Sequence, residues 1–284
     1  MGSHPASNTS LSNLLEDRYK TPMTFAAPTI EPLSETLRAI LTHKSTRSFL
    51  STSLPPGILE ILITCAQSAP TSSMQQSYSI IPIQDPKHKE AVSHICGDQD
   101  FIRQAPLFLI FCADLHRMGN MAEKYGVENQ ALDKMDMLLT GIIDASLAAQ
   151  NAALASESLG LGTCFVGGVR NHAAELIELL GLPERVCGVI GLAVGFPDPS
   201  IKVDIKPRLP MSEVLHYERW NSSRQEEGVR VFDEVMGRHR HRLSKIGRKP
   251  WSQWMGEWGR DGVSGLDGRE KIRALLEDQG FGMD

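Results

Sequence analysis

Several stretches of this chain carry side chains whose types and spacing suit chemistry. His43-Lys44-Ser45-Thr46-Arg47 packs three potentially cationic side chains and two hydroxyls into one short segment. Such a set either complements the dipole at a helix end or makes an anion site, with Arg47 forked onto phosphate oxygens while His43 and Ser45 add hydrogen bonds. Spacing leaves both readings open. Lys206-Pro207-Arg208 fixes two more cations around a proline, a stiff pair that faces either one anion or solvent. The loop from Thr71 through Ser73 and Met74 to Gln76 holds five hydrogen-bonding side chains and one flexible apolar one. It suits capping of local backbone or ringing the edge of a flat heteroaromatic ligand. Val166-Gly167-Gly168 closes a short apolar run; paired glycines serve a tight turn, or leave N–H groups bare for a flat ligand or an anion. This is not a dinucleotide fingerprint, since Phe165 stands where the third glycine after Gly160 and Gly162 would fall. Arg238, Arg240, Arg242, Lys245, Arg248 and Lys249 cluster with His239 and His241. That patch suits a small polyanion such as a phosphorylated nucleotide. It is too short, and too poor in aromatics, for nucleic acid. Its His-x-His pair has no nearby carboxylate or cysteine to complete a metal site.

These residues need elements to position them. Met135, Leu138, Leu139, Ile142, Ile143 and Leu147 recur at helical spacing, with glycine, alanine and serine in the gaps. The pattern predicts a long helix buried nearly all round, either a core spine or a subunit seam, ended by Gly160 and Gly162. Thr163 to Val166 reads as a short strand after it, and Asn171 as the cap of a helix from His172 to Leu180. Ser34 caps a helix with Leu37, Ile40 and Leu41 on one face that ends near His43, and Pro55-Pro56 opens another that Pro70 closes. Apolar runs predict strands at 78–83, 106–113 and 189–194, with a helix at 87–95 and Gln99 in the polar connection after it. Residues 115–130 read as a polar surface excursion, and Ile272, Leu275, Leu276 and Phe281 as the core face of a helical tail. Some connections are too short to carry a crossover helix, so a mixed sheet covered by helices on both faces is expected. Residues 1–32 lack sustained periodicity apart from a scrap at 11–15, and read as a mobile arm.

Composition narrows the class. With 284 residues, 41% hydrophobic and 22% charged, the chain fits one large globular domain or two small ones. A net charge of -5 gives no general field for nucleic acid. Cysteines at 65, 96, 112, 164 and 187 are odd in number and form no C-x-x-C pair, so neither a zinc cluster nor a disulfide framework is indicated. A reducing interior is expected. No apolar run reads as a membrane span and no secretory signal is visible, so the expected location is cytoplasmic.

Taken in order, the motifs HKSTRSF, SSMQQ, FCADLHR, AAQNAALASESLGLGTCFVGGVRN and DIKPRLP resemble the nitroreductase family, in its branch of NADPH-dependent nitroreductases and flavin reductases that use FMN. The resemblance runs from about Pro32 to the C-terminus. It implies an α+β fold of three layers, α-β-α, with a mixed, mainly antiparallel sheet and a C-terminal helical extension, making residues 33–284 one domain behind the arm at 1–32. It implies a homodimer with FMN at the subunit interface. By the resemblance His43, Lys44, Ser45, Arg47, Lys206 and Arg208 hold the FMN phosphate and ribityl chain. Thr71, Ser73, Met74 and Gln76 contact the isoalloxazine from the partner subunit, with Gln99 at its polar edge. Val166, Gly167 and Gly168 lay backbone against the ring, and Arg242 contacts NADPH. The implied reaction is ping-pong: hydride passes from NADPH to FMN and then to a quinone, a nitroaromatic or free flavin, without a catalytic side chain or a metal. Lys44 stands where this branch usually has arginine, Pro70-Thr71 stands in place of a serine run, and the arm is longer than the family needs. The rival reading is a flavin carrier or redox sensor without turnover.

Overall fold

A computed structural model describes residues 10–22, 25, 27, 28, 30, 32–223, 225–239, 249–260 and 266–282. In chain order its main elements are α1 (Leu11–Tyr19), α2 (Glu35–Thr42), α3 (Ile58–Gln67), β1 (Tyr78–Ile83), α4 (Pro86–Ile95), α5 (Asp100–Gln104), β2 (Leu107–Asp114), α6 (His116–Lys124), α7 (Met135–Ser158), β3 (Gly162–Val166), α8 (Ala173–Leu180), β4 (Val186–Gly195) and α9 (Gln225–Arg238), with short helices at Trp251–Glu257 and Ile272–Asp278. The chain packs as two compact units, Ser45–Lys202 with Leu266–Asp284, and Met1–Lys44 with Val203–Gly265.

The larger unit is built on the sheet β1-β2-β4-β3, whose neighbouring strands all run antiparallel. The one parallel pairing among the described residues is an isolated bridge, Ser45 to Thr163. β2 is apolar on both sides because both faces of the sheet are covered. Its residues Leu107, Leu109, Phe111 and Ala113 share a core with Leu62 and Ala66 of α3 and the alanines of α7. The alternate residues Phe108, Ile110 and Cys112 share another with Val92 of α4, Ile102 of α5 and Leu176 of α8. The expected three layers are therefore present. A register shift between Phe111 and Cys112 lets Val189 of β4 bulge, so that Cys187 and Val189 but then Leu192 and Val194 reach the same core. Leu276 and Phe281 of the tail pack against that core too.

α7 departs from its expected all-round burial. Ala145, Ala148, Ala149 and Ala152 sit in the core, but Met135, Leu139, Ile143 and Leu147 are 39%, 47%, 56% and 39% exposed. They lie four residues apart and so form one stripe. Periodicity detects an apolar face without saying whether its cover is the same chain. By length and apolarity α7 also matches a membrane span, against the expectation that no run would, yet half of it is buried inside the fold. Gly160 at φ +77° ends the helix, with the Leu161 N–H closing onto the Ser156 carbonyl at 3.0 Å. Gly162 serves close packing instead, since a Cβ there would lie 2.6 Å from the Thr46 hydroxyl.

Two more expectations need correction. Residues 115–130 contain α6, which seats Met118 against the core; its mixture of glycine and polar residues hides the period. Helix α8 starts at Ala173 with His172 in the capping position, and Asn171 instead buries its side-chain carbonyl oxygen without a hydrogen-bond partner.

In the smaller unit, residues 11–19 form a helix, α1, where sequence suggests only a scrap of periodicity. Ser10 caps it by accepting from the Asn13 N–H at 3.3 Å, Lys20 ends it at φ +56°, and Leu14 is buried. Phe232 and Met236 of α9 gather Leu209, Trp251 and Trp254. Asp233 accepts from both the backbone N–H and the hydroxyl of Ser252, at 2.9 and 2.5 Å, pinning the start of helix Trp251–Glu257.

Candidate functional site

In the larger unit the predicted site residues fall into two groups, one at each edge of the sheet. At the β3 edge, the Thr46 N–H donates to the Thr163 carbonyl at 2.7 Å, so Ser45 and Arg47 are carried alongside β3. Thr46 itself is buried over Gly162, which leaves Arg47 exposed and Ser45 half-buried. β3 then delivers Val166, whose side chain is buried, so it has only backbone to offer a ligand. Gly167 and Gly168 follow in a 3-10 turn.

Neither glycine needs a positive φ. What demands glycine at 168 is close approach: a Cβ would lie 2.5 Å from the Cys96 carbonyl oxygen and 3.1 Å from the Gln99 amide nitrogen. Gln99 donates to that same carbonyl at 2.8 Å, so the fold brings Gln99 and Gly168 together. Burial pushes the Cys96 thiol up to about 12, so it offers no thiolate nucleophile at neutral pH. Arg170 caps the turn, donating to the Val189 carbonyl; burial, then the charge of Arg269, lowers its pKa. Because the atom facing position 168 is main chain, Gly168→Ala is expected to shift the turn and cost about 1–3 kcal/mol of stability. Urea unfolding would measure this, and an unchanged midpoint would mean the turn has slack.

At the β1 edge stands the loop Thr71 to Gln76. Ser73, Met74 and Gln76 have φ of 48°, 57° and 53°, left-handed conformations that cost non-glycine residues roughly 1 kcal/mol or more each. Two side chains that sequence reasoning passed over hold this loop. Asp144 of α7, 1% exposed, accepts from the Ser72 N–H at 3.1 Å and from the Ser77 N–H at 3.0 Å, one on each carboxylate oxygen. Arg117 donates to the carbonyls of Gln76 at 3.0 Å and Tyr78 at 3.3 Å, and to the Ser79 hydroxyl at 3.1 Å. Asp114 in turn anchors Arg117 and Ser79, which gives the motif FCADLHR a physical role. Met74 projects from the loop, 83% exposed.

β1 and β3 are separated by β2 and β4, about 14 Å at ordinary strand spacing. One chain therefore presents its loop and its glycine turn at different places.

In the smaller unit the remaining cations gather by backbone contact. His43 follows α2, and its carbonyl accepts from Arg18 at 3.0 Å; the same guanidinium donates to the Leu41 carbonyl at 2.6 Å and the Lys206 carbonyl at 3.4 Å. Thus α2, with His43 and Lys44 at its end, and the strap carrying Lys206 and Arg208 meet on Arg18. Arg208 folds back onto the carbonyls of Lys206 and Pro207, at 3.1 and 3.2 Å. Arg242, with residues 240–248 of the basic patch, lies outside the described residues.

Comparison with known proteins identifies the family of the chain. Residues 40–195 match the model of the nitroreductase family and residues 206–284 that of the nitroreductase family C-terminal domain. A Bacillus subtilis protein named FMN reductase (NADPH) is 37% identical over 225 residues, covering 78% of this chain and 89% of that protein. A second, FMN reductase [NAD(P)H] of Bacillus subtilis, is 35% identical over 253 residues, covering 88% of this chain and 98% of the relative. The solved structure of NfrA2 from B. megaterium superposes with a TM-score of 0.80 at 37% identity, over 89% of this chain and 100% of that one. With both family models matched in order and the α-β-α layers in place, this chain belongs to the nitroreductase family.

Proposed function

We propose that this protein is an NADPH-dependent flavin oxidoreductase, a cytoplasmic homodimer holding FMN between its subunits and reducing quinones, nitroaromatics or free flavin. The observation that carries this reading is the division of the site between the two edges of one sheet, in a chain whose relatives are named for FMN and NADPH. A second copy seated on the exposed α7 stripe would bring the partner's Thr71, Ser73, Met74 and Gln76 to the glycine turn.

The residues present fit FMN. Its phosphate is a dianion and needs several charge-assisted donors, which His43, Lys44, Ser45, Arg47, Lys206 and Arg208 supply by type. Its ring is flat and edged with polar atoms, which suits main chain at Val166, Gly167 and Gly168 and the amide of Gln99. Bound FMN supplies the hydride chemistry, from NADPH to the acceptor in ping-pong order. The protein's part is to neutralise the phosphate, orient the ring with bare N–H groups and exclude water by closing the apolar seam. No side chain is assigned as acid or base.

The test is an anaerobic absorbance spectrum before and after one equivalent of NADPH. A flavin band that bleaches and recovers on adding a quinone is expected. A band that NADPH leaves unchanged would mean a carrier or sensor, and a colourless protein that takes up no FMN would remove the site assignment. Arg242→Ala is expected to raise the NADPH KM roughly 10- to 100-fold, the worth of a charge-assisted hydrogen bond, with FMN still bound. Steady-state kinetics and the flavin-to-protein ratio check it; loss of flavin instead would place Arg242 at the wrong ligand.

A further inference from the structure

We propose that helix α1 is a built-in clamp for the phosphate end of the flavin site and that Arg18 is its positioning residue; this rests on the assignment of His43, Lys44, Lys206 and Arg208 to the FMN phosphate. α2 ends abruptly. His43 leaves helical geometry at φ −48°, ψ 132°, and its N–H makes a long, 3.4 Å bond to the Ile40 carbonyl. The last carbonyls of a helix carry partial negative charge and favour a cation that donates to them. Arg18 supplies it from another helix, reaching the carbonyls of Leu41 and His43 with one terminal nitrogen, at 2.6 and 3.0 Å. Its other terminal nitrogen reaches the Lys206 carbonyl at 3.4 Å, a contact across 188 residues of sequence. One planar fork therefore ties the backbone directly before Lys44 to the backbone between Ile205 and Pro207.

The geometry of the fork matters because two flexible cations gather round one phosphate only if their main chains are held at a fixed separation. Lysine at position 18 would keep the charge but present a point donor in place of a planar fork. Arg18 is itself placed by a helix with a proper start at Ser10, a left-handed stop at Lys20 and an inward Leu14. The clamp acts on phosphate, so its effect belongs to FMN and not to the ring system that FMN shares with riboflavin.

The experiment compares dissociation constants for FMN and riboflavin in the full-length protein and in Arg18→Ala and Arg18→Lys. The parent is expected to prefer FMN strongly. Arg18→Ala is expected to lose about tenfold or more of FMN affinity, the scale of a hydrogen bond to a charged group, while riboflavin affinity stays the same. Arg18→Lys is expected to regain only part of the preference. Equal losses for both ligands in Arg18→Ala would mean a general structural role and overturn the proposal, as would unchanged FMN binding. Full recovery in Arg18→Lys would mean that charge alone matters, and would overturn it as well. A parent with no preference for FMN over riboflavin would instead refute the phosphate assignment on which the clamp depends. Should Arg18→Ala not fold, the comparison of Arg18→Lys with the parent decides between fork and charge.

Discussion

Ile143→Lys is expected to yield a monomer that keeps its fold and loses its flavin. Ile143 is 56% exposed, at the middle of the stripe that Met135, Leu139 and Leu147 complete. Burying a large aliphatic side chain contributes about 1.5–3 kcal/mol, and in a twofold pairing each residue of the stripe is counted twice. Replacing the central one removes that gain and sets two ammonium groups in an apolar seam, where each unpaired charge costs several kcal/mol. The single chain loses little, because position 143 already faces solvent there. Sedimentation would report the mass, circular dichroism the fold, and the absorbance ratio the flavin. A variant that remains a flavin-loaded dimer would place the seam elsewhere.

Asp144→Ala is expected to act from the other side of the same helix, lowering stability by about 2–4 kcal/mol and weakening FMN binding together. Its carboxylate is 1% exposed and satisfies the N–H groups of both Ser72 and Ser77. An unsatisfied buried donor costs about 1–3 kcal/mol; alanine leaves the buried Ser77 N–H without its acceptor and removes the part-buried bond to Ser72, in a loop already bent through left-handed conformations at Ser73, Met74 and Gln76. Natural domains are stable by about 5–15 kcal/mol in all, so the loss is a large share. Asp144→Asn keeps one carbonyl acceptor and should fall between. Urea unfolding and flavin titration of the three proteins give the order; an alanine variant with the parent's midpoint and affinity would remove Asp144 from the site.

Both side chains lie in a helix whose extent is plain from sequence, yet neither role is. Apolar spacing reveals that α7 has buried faces; it cannot tell a face covered by the chain's own sheet from one left for another molecule. Asp144 is the single charge between Asp136 and Glu157, a signal that goes unused when such a run is read only for its apolar period. The strands are legible because β2 and its neighbours are short apolar runs cut by glycine, proline and polar turns. Gly168 is legible as a bare position but not for its reason, a carbonyl from Cys96 pressing on it. Arg18 lies beyond any local pattern, since its partners stand 23, 25 and 188 residues away and are set by packing. The glycine turn and the loop are recognisable by type; their separation onto two edges of a sheet emerges only once strand order is known.

That separation has a genetic side. In a dimer where each flavin lies between the glycine turn of one chain and the loop of the other, the two sites draw on different segments of each polypeptide. A chain spoiled in its loop and another spoiled at its glycine turn would then complement each other when expressed together. One site of the mixed dimer would collect both lesions, and the other would be built wholly from intact parts.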